Sequence, residues 1–405
     1  MRARRVASLG AGCLVLAGML LAAPGPATMH VMAGRVTAQP TGPAFPPIAV
    51  DLGTLGGNTS QGQAINDRGQ VVGISLTAAG EQNAFVFEDG VMTDLGPSSG
   101  LGYTDLINGR GQVLINRLTD DFKMRAAIWD HGTTTELPTL GGDQVVAAAI
   151  NDAGQVVGDS RVATGESHAF LWDHGVMTDL GTLGRTHSYA TALNEAGEVV
   201  GRVEGTDGSI HAFLWVGGIM TDLGTLGGTD SLAAAINDAG QVVGRASTAV
   251  PGVEHAFLWE DGVMTDLGPA GGAWSSATAI NARGQVVGQH YVAQEQRMVA
   301  FIWEDGVMTS LGTLGGLTSY AAGINAAGEV AGDSETAAGG RHVFLWKDGV
   351  MTDLGTLNGA KGTASAINDA GKVAGSAQTE AGRMHAVMWL RAGDGHRAFL
   401  ARIAR

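Results

Sequence analysis

The chain has 405 residues, 64 of them glycine, and a formal net charge of −15 at pH 7. Its 39 acidic residues outnumber 24 Lys and Arg, which argues against nucleic acid or anionic lipid as a partner, because phosphate binding needs clustered basic side chains. The single cysteine, Cys13, excludes a disulfide framework, so stability must come from packing.

Residues 1–38 have the composition of a secretory signal peptide. Arg2, Arg4 and Arg5 precede an apolar run of residues 6–23, and small residues follow it. Cleavage after Ala38 or after Ala27 fits this pattern; the alternative is a retained membrane anchor, for which the apolar run is short. We therefore expect a secreted protein, extracellular or in the cell envelope, with no stable membrane span once the signal is removed.

After a short linker at residues 39–47, eight similar units occupy residues 48–390, and residues 391–405 form a tail. An element resembling DLGTLGG recurs every 42–44 residues, at Asp51, Asp94, Glu136, Asp179, Asp222, Asp266, Ser310 and Asp353. A marker Asn, followed three residues later by Gly, keeps the same register at Asn66, Asn108, Asn151, Asn194, Asn237, Asn281, Asn325 and Asn368. This period is typical of propeller blades.

Each unit divides into four short strands, such as SLAAAIN, GQVVGRA, HAFLWE and VMTDLG. Residues 237–240 (NDAG) predict the turn between the first two strands, and Asp261-Gly262 predicts the hairpin between the last two. The continuous apolar runs VVG and AFLW predict sheets that are covered on both faces. The connection between the second and third strands varies from unit to unit, which predicts exposed loops and a second candidate surface.

The two ends of the repeat complement each other. The last unit ends its third strand at Trp389 without a VMTDLG segment, whereas residues 48–53 (IAVDLG) have that form and precede the first unit. The sequence therefore predicts an all-β propeller of eight four-stranded blades, closed by the N-terminal strand. The alternatives are an open solenoid and a tail segment, residues 396–400, that competes for the same edge.

The units resemble the HAF repeat, on the tripeptides that begin at His168, His211 and His255 and on the segments AINDAGQVVG at 149–158 and 235–244. The resemblance covers residues 48–390 and implies an extracellular repeat protein, a β-propeller, with no established biochemical activity. Asn83, Arg125 and Val299 depart from the expected His. Unit 2, where Ile115-Asn116 replaces the usual Gly, diverges most.

Three sets of repeated residues are predicted to be structural: His168, His211, His255, His342 and His385; Asn151, Asn194 and Asn237; Trp172, Trp215 and Trp259. Histidines on five blades cannot converge on one metal, so each is expected to hydrogen-bond a neighbouring turn or an Asn or Asp of its own unit. The Asn-Asp turns lack the alternating ligands of a calcium loop. The sequence predicts no metal site and no cofactor.

Candidate ligand-binding residues are those that break the repeat. Tyr103, Tyr189 and Tyr320 stand five residues before the marker Asn, and His187 and Trp274 lie in the same connecting segment. In a closed ring we expect this segment to rim one mouth of the channel, where aromatic rings stack on sugars or clasp a peptide. The alternative is that they fill gaps beneath the LGTLGG turns.

We therefore expect a monomeric, non-catalytic binding or scaffold module for glycan or extracellular protein at one ring face. Enzymatic activity is left open: the alternative is a hydrolase or lyase at the channel mouth, with His187 beside Arg185 and the Asp120-Asp121 pair as hints. A third interpretation is a structural component of the envelope without a small ligand.

Overall fold

The computed structural model describes residues 47–99, 106–268 and 274–391, and every regular element in these ranges is a β-strand. The all-β prediction is confirmed. The first strands of the units are β2 (Gly56–Ile65), β6 (Leu106–Ile107), β10 (Gly141–Ile150), β14 (His187–Leu193), β18 (Gly227–Ile236), β22 (Ser275–Ile280), β26 (Gly315–Ile324) and β30 (Asn358–Ile367). The second strands are β3 (Val71–Thr77), β7 (Val113–Leu118), β11 (Val156–Val162), β15 (Val199–Glu204), β19 (Val242–Thr248), β23 (Val286–Val292), β27 (Val330–Thr336) and β31 (Val373–Thr379).

The third strands are β4 (Gln82–Glu88), β8 (Met124–Asp130), β12 (Ser167–Asp173), β16 (Ile210–Val216), β20 (Glu254–Glu260), β24 (Arg297–Glu304), β28 (Arg341–Lys347) and β32 (Met384–Leu390). The fourth strands are β5 (Val91–Pro97), β9 (Thr133–Glu136), β13 (Val176–Asp179), β17 (Ile219–Asp222), β21 (Val263–Asp266), β25 (Val307–Gly312) and β29 (Val350–Gly355). One further strand, β1 (Ile48–Asp51), precedes the first unit.

Successive strands of each unit pair antiparallel, which gives six four-stranded sheets from β2 to β25. Strands β26 to β29 pair in the same way, and they are joined to the sheet β30-β31-β32-β1 by one parallel bridge between Arg341 and Lys361. The last unit therefore takes its fourth strand from the front of the chain. In that pair Ile48 lies opposite Leu390 and Asp51 opposite Val387.

The core lies between the sheets, because neighbouring residues of one strand face different neighbouring sheets. Val242 packs in a cluster with Leu214 and Phe257, whereas Val243 packs with Leu258 and other residues of the following interface. Both valines are fully buried. This two-sided burial is the physical reason for the unbroken apolar runs.

The glycine after each Val-Val pair is required by close backbone approach. A Cβ on Gly244 would overlap the carbonyl oxygen of Leu232 on the paired first strand. The pairing shifts register between Ala233 and Ala235, so a bulge brings that carbonyl over the glycine. In unit 2, where Ile115 takes this position, the described first strand is limited to β6.

Candidate functional site

The marker asparagine holds the turn between the first and second strands. In unit 5 the Asn237 Oδ1 accepts the backbone N–H groups of Ala239 (3.1 Å) and Gln241 (3.0 Å), while its Nδ2 donates to the Gln241 side-chain oxygen at 2.7 Å. Gly240 completes the turn with φ of +77°. A buried Asn thus satisfies its own turn and has one donor left.

That remaining donor joins each unit to the next. Asn237 Nδ2 donates to the backbone oxygen of Asn281, 3.0 Å away. Equivalent bonds of 2.9–3.2 Å start from Asn66, Asn108, Asn151, Asn194, Asn281, Asn325 and Asn368. The bond from Asn368 goes to the oxygen of Asn66, so the series that begins at the first unit also ends there.

The residue after the marker Asn forms a second series of bonds between units. It is acidic in five units: Asp67, Asp152, Glu195, Asp238 and Asp369. Each carboxylate accepts the backbone N–H of the corresponding residue one unit earlier, as between Asp152 Oδ1 and Gly109 N (2.6 Å) or Asp238 Oδ1 and Glu195 N (2.9 Å). These bonds hold the carboxylates at one end of the first strands.

The turns surround a cavity of about 430 Å³. Its apolar lining comes from the last residues of five first strands: Ile65, Ile107, Ile150, Ile324 and Ile367. Its acidic lining comes from Asp67, Asp152, Glu195 and Asp369. No Lys, Arg or His of the described ranges lines it. The cavity therefore combines an apolar wall with four negative charges.

The ion pairs of the described residues lie elsewhere, for example between Arg117 and Glu136 or between Lys347 and Glu329. The cavity carboxylates accept hydrogen bonds from backbone N–H groups, and these bonds do not neutralise the negative charge of the carboxylates. In the described part of the chain, no group of three or more His, Cys, Asp or Glu side chains is spaced to hold a metal ion. The arrangement suits an organic cation, whose apolar part contacts the isoleucines.

The repeated histidines lie at the other end of the strands, each beside the aspartate of its fourth strand. His211 Nδ1 is 2.7 Å from Asp222 Oδ2, and Asp222 Oδ1 also accepts the N–H of Gly224 at 2.8 Å. The same His–Asp pair occurs at His168–Asp179, His255–Asp266, His342–Asp353 and His385–Asp51. In the last of these the aspartate belongs to β1, which precedes the first unit.

Units 1 and 6 have another residue at the histidine position. Asn83 donates to Asp94 at 2.9 Å in place of a histidine. In unit 6 Val299 replaces the histidine and Ser310 replaces the aspartate. His290 lies opposite Val299 on the paired strand, and burial lowers its pKa. In unit 1 the aspartate thus keeps a hydrogen-bonding partner, whereas in unit 6 both members of the pair are replaced.

The three tryptophans predicted to be structural share one place in the third strands. Trp172, Trp215 and Trp259 lie opposite the first valine of the paired second strand. Trp172 belongs to the buried cluster between units 2 and 3, and the other two pack against the equivalent clusters.

The predicted aromatic site is divided among separate cross-strand pairs. Tyr189 lies opposite Arg202, whose guanidinium carbon is 4.4 Å from the tyrosine ring centroid. The His187 ring is 6.2 Å from that ring, and its Nδ1 accepts the backbone N–H of Ser167 at 3.1 Å. Nearby, burial raises the pKa of Asp159 to about 6, and the positive charge of Arg202 partly opposes this shift.

Tyr320 has similar surroundings three units further on. Arg341 lies 5.0 Å from its ring centroid and forms an ion pair with Asp333, the residue opposite Tyr320. Burial raises the pKa of Asp333, while Arg341 opposes this effect. Trp274 donates to Glu254 at 3.2 Å. Tyr103 lies outside the described residues.

None of Tyr189, Tyr320, His187 and Trp274 lines the acidic cavity. Their ligand-binding role stays a prediction, and it belongs to a different surface from the cavity. Sequence reasoning missed the cavity acids, although a signal was available: an acidic residue follows the marker Asn in five of the eight units. Turn formation explained the Asn without assigning a role to its neighbour.

The expected signal peptide and almost all of the tail fall on residues 1–46 and 392–405, outside the described ranges. In the described ranges, no helix is long and apolar enough to cross a membrane.

Comparison with known proteins supports the fold. The chain is similar to the β-propeller domain of the Trilobed protease from Pyrococcus furiosus, with a TM-score of 0.51 and 11% identity over 74% of this chain and 99% of that domain. It is also similar to Porphyromonas gingivalis dipeptidyl peptidase 4, with a TM-score of 0.52 and 11% identity over 88% of this chain. The fold is a β-propeller.

The chain spans 61% of the dipeptidyl peptidase, and at this identity the likeness concerns the fold alone. Residues 206–388 of the propeller match a family described as "Protein of unknown function (DUF3466)". No curated protein matches the sequence.

Proposed function

We propose that this chain is an exported, non-catalytic binding module that recognises a cationic segment of a protein partner at its acidic cavity. The observation that carries the proposal is the cavity lining, which joins isoleucine side chains to four carboxylates and includes no basic residue of the described ranges. Export rests on the signal-like composition of residues 1–38.

The proposed scaffold is a ring of eight four-stranded blades closed by β1. Three contacts support closure: the pairing of β1 with β32, the 2.9 Å bond from Asn368 to Asn66, and the 2.8 Å bond from Ala386 N to Ser60 Oγ. Deleting residues 39–53 is expected to expose the edge of β32 and to lower the melting temperature more than deleting residues 392–405 does. Equal melting temperatures would exclude closure by β1.

A lysine or arginine side chain has the chemistry that this cavity selects. Its methylene stem covers apolar surface, and its charged end pairs with carboxylates at the rim. The negative charge of the whole chain adds a long-range attraction for a basic segment, which acts mainly on the association rate.

The acids are distributed unevenly around the ring. Gly109, Ala282 and Ala326 replace them in units 2, 6 and 7, and Asp238 of unit 5 does not line the cavity, so three adjacent units contribute no carboxylate to it. The field across the cavity is therefore asymmetric, and a bound basic segment is expected to take one orientation rather than eight equivalent ones.

Calorimetric titration with a synthetic deca-lysine peptide tests the proposal, with a deca-glutamate peptide and spermidine as comparisons. The variant Asp152→Asn/Glu195→Gln/Asp369→Asn keeps the amide oxygens that accept backbone N–H groups and removes three charges. We expect it to bind deca-lysine at least tenfold more weakly than the parent. Spermidine binding as tight as that of the peptide would identify a free polyamine as the ligand.

The matched control is Asp261→Asn/Asp305→Asn/Asp348→Asn, which removes three charges at exposed hairpins outside the cavity. Asn tolerates the positive φ of about 50° at these positions. If both triple variants lose the same affinity, attraction is only a net-charge effect and the cavity is not the site. A panel of oligosaccharides titrated into the parent and Tyr189→Ala/Tyr320→Ala tests the glycan-binding prediction separately.

A further inference from the structure

The loop between β7 and β8 in unit 2 carries an aromatic side chain in an unfavourable position. Phe122 is 81% exposed and has φ of +60°. Exposure of a large apolar ring to water and a left-handed backbone at a residue with Cβ both cost free energy. Neither packing nor turn formation accounts for a phenylalanine here.

The corresponding loops show what turn formation alone selects. The left-handed residue of the other loops is glycine in six units and Gln296 in unit 6: Gly80, Gly165, Gly208, Gly252, Gln296, Gly339 and Gly382. Phe122 is thus the one apolar residue among the left-handed residues of these eight described loops. Leu118, the last residue of β7 and the one that leads into this loop, is also exposed.

The loop is held in a fixed shape. Thr119 Oγ1 donates to Lys123 O at 2.9 Å, and Phe122 N donates to Thr119 O at 2.9 Å. The Lys123 ammonium is 3.0 Å from Asp143, in the first strand of the next unit. The phenylalanine is therefore presented by an ordered loop, which reduces the entropy lost on binding.

The charges around the ring define the partner. Asp120 and Asp121 are exposed beside it; Lys123 lies between Asp121 (3.5 Å) and Asp143 (3.0 Å), and Arg117 is paired with Glu136, so the acids outnumber the cations around the ring. We propose that Phe122 is the anchor of a docking surface for a protein partner that offers an apolar pocket edged by Lys or Arg. This surface lies at the opposite end of β7 from the Asn turn, so it is independent of the acidic cavity.

The test compares Phe122→Gly with Gln296→Gly. Both restore the glycine found in other units, but only the first removes the aromatic anchor. The probe is a naive library of single-domain antibodies, selected on the parent and then measured on each variant. We expect most binders to lose at least tenfold affinity for Phe122→Gly, to keep their affinity for Gln296→Gly, and to carry apolar and basic residues in their binding loops.

Stability provides the second readout. Both variants are expected to unfold at a urea concentration equal to or higher than the parent's, because glycine relieves the left-handed strain. The proposal is overturned if Phe122→Gly lowers that concentration, since the ring would then be a packing residue. It is also overturned if no selected binder depends on Phe122, or if the parent binds phosphatidylcholine vesicles and the variant does not, which would indicate a membrane contact.

Discussion

Removing the Asn237 side chain is expected to destabilise the protein far more than other changes in the same turn. The Asn237→Ala variant loses four hydrogen bonds: two accepted by Oδ1, from Ala239 and Gln241, and two donated by Nδ2, to Gln241 and to Asn281 of the next unit. At about 0.5–1.5 kcal/mol each, these four bonds sum to about 2–6 kcal/mol. The side chain is buried, so water does not replace them without rearrangement.

The assay is equilibrium urea unfolding followed by tryptophan fluorescence. Asp238→Ala is the control, because Asp238 is exposed in the same turn and accepts a single backbone N–H, from Glu195 at 2.9 Å. We expect the control to cost about 0.5 kcal/mol. A loss below about 1 kcal/mol for Asn237→Ala, or a loss no larger than that of the control, would mean that these four bonds do not stabilise the fold.

Asn237→Asp separates the donor role from the acceptor role. The carboxylate keeps the oxygen that accepts the backbone N–H groups. Its second oxygen replaces Nδ2 and therefore faces two other oxygens, the Gln241 side-chain oxygen and the Asn281 backbone oxygen, which lie 2.7 and 3.0 Å from Nδ2 in the parent. The folded state therefore favours the protonated acid, so stability should recover as pH falls from 7 to 4. A pH-independent deficit would contradict the proposed bond between units.

Three further changes test other parts of the structure. Burial raises the pKa of Asp159 from 3.8 to about 6, so the free energy of unfolding falls as pH rises through this window. In urea unfolding, Asp159→Asn should be more stable than the parent by up to about 3 kcal/mol at pH 7.5 but not at pH 3.5. Glu329→Gln removes the charge that the half-exposed Lys347 and Arg391 contact, but it keeps the oxygen that accepts Asn325 Nδ2, so it should cost at most about 1 kcal/mol by the same assay. Gly244→Ala places a Cβ on the Leu232 carbonyl, so we expect a loss of at least about 2 kcal/mol, and an unchanged melting curve would contradict the assigned register.

The repeat architecture was accessible from the sequence because its signals are local. Turn residues such as Asn237 and Gly240 act within four residues, and the apolar period of VVG and AFLW reports burial on both faces directly. The units are nearly equal in length, so one reliable unit fixes the order of strands in the others. This is why the strand pattern and the exchange of β1 into the last unit were both predicted.

Contacts across strands were harder to predict, because they depend on register. His211 contacts Asp222, eleven residues later, because Phe213 lies opposite Asp222 and the two side chains share one face of the sheet. The sequence indicated an Asn or Asp of the same unit without selecting this one. Likewise, nothing local predicts that Arg202 covers the ring of Tyr189.

The acidic cavity depends on contacts between units that are 42–44 residues apart, and in one case on the contact between the last unit and the first. Asp152 and Asp369 lie far apart in sequence and are brought to one cavity only by the ring of turns. Local patterns assign each aspartate to its own turn. Convergence of such residues becomes visible only in three dimensions.

A crystal structure of the protein with the deca-lysine peptide shows whether a cationic group binds at the acidic cavity. We expect density for a lysine side chain in the cavity, with its ammonium within about 3–4 Å of the Asp152 or Asp369 carboxylate and its stem against Ile150 or Ile367. An empty cavity, with the peptide bound instead beside Tyr189 or on the outer hairpins, would contradict it.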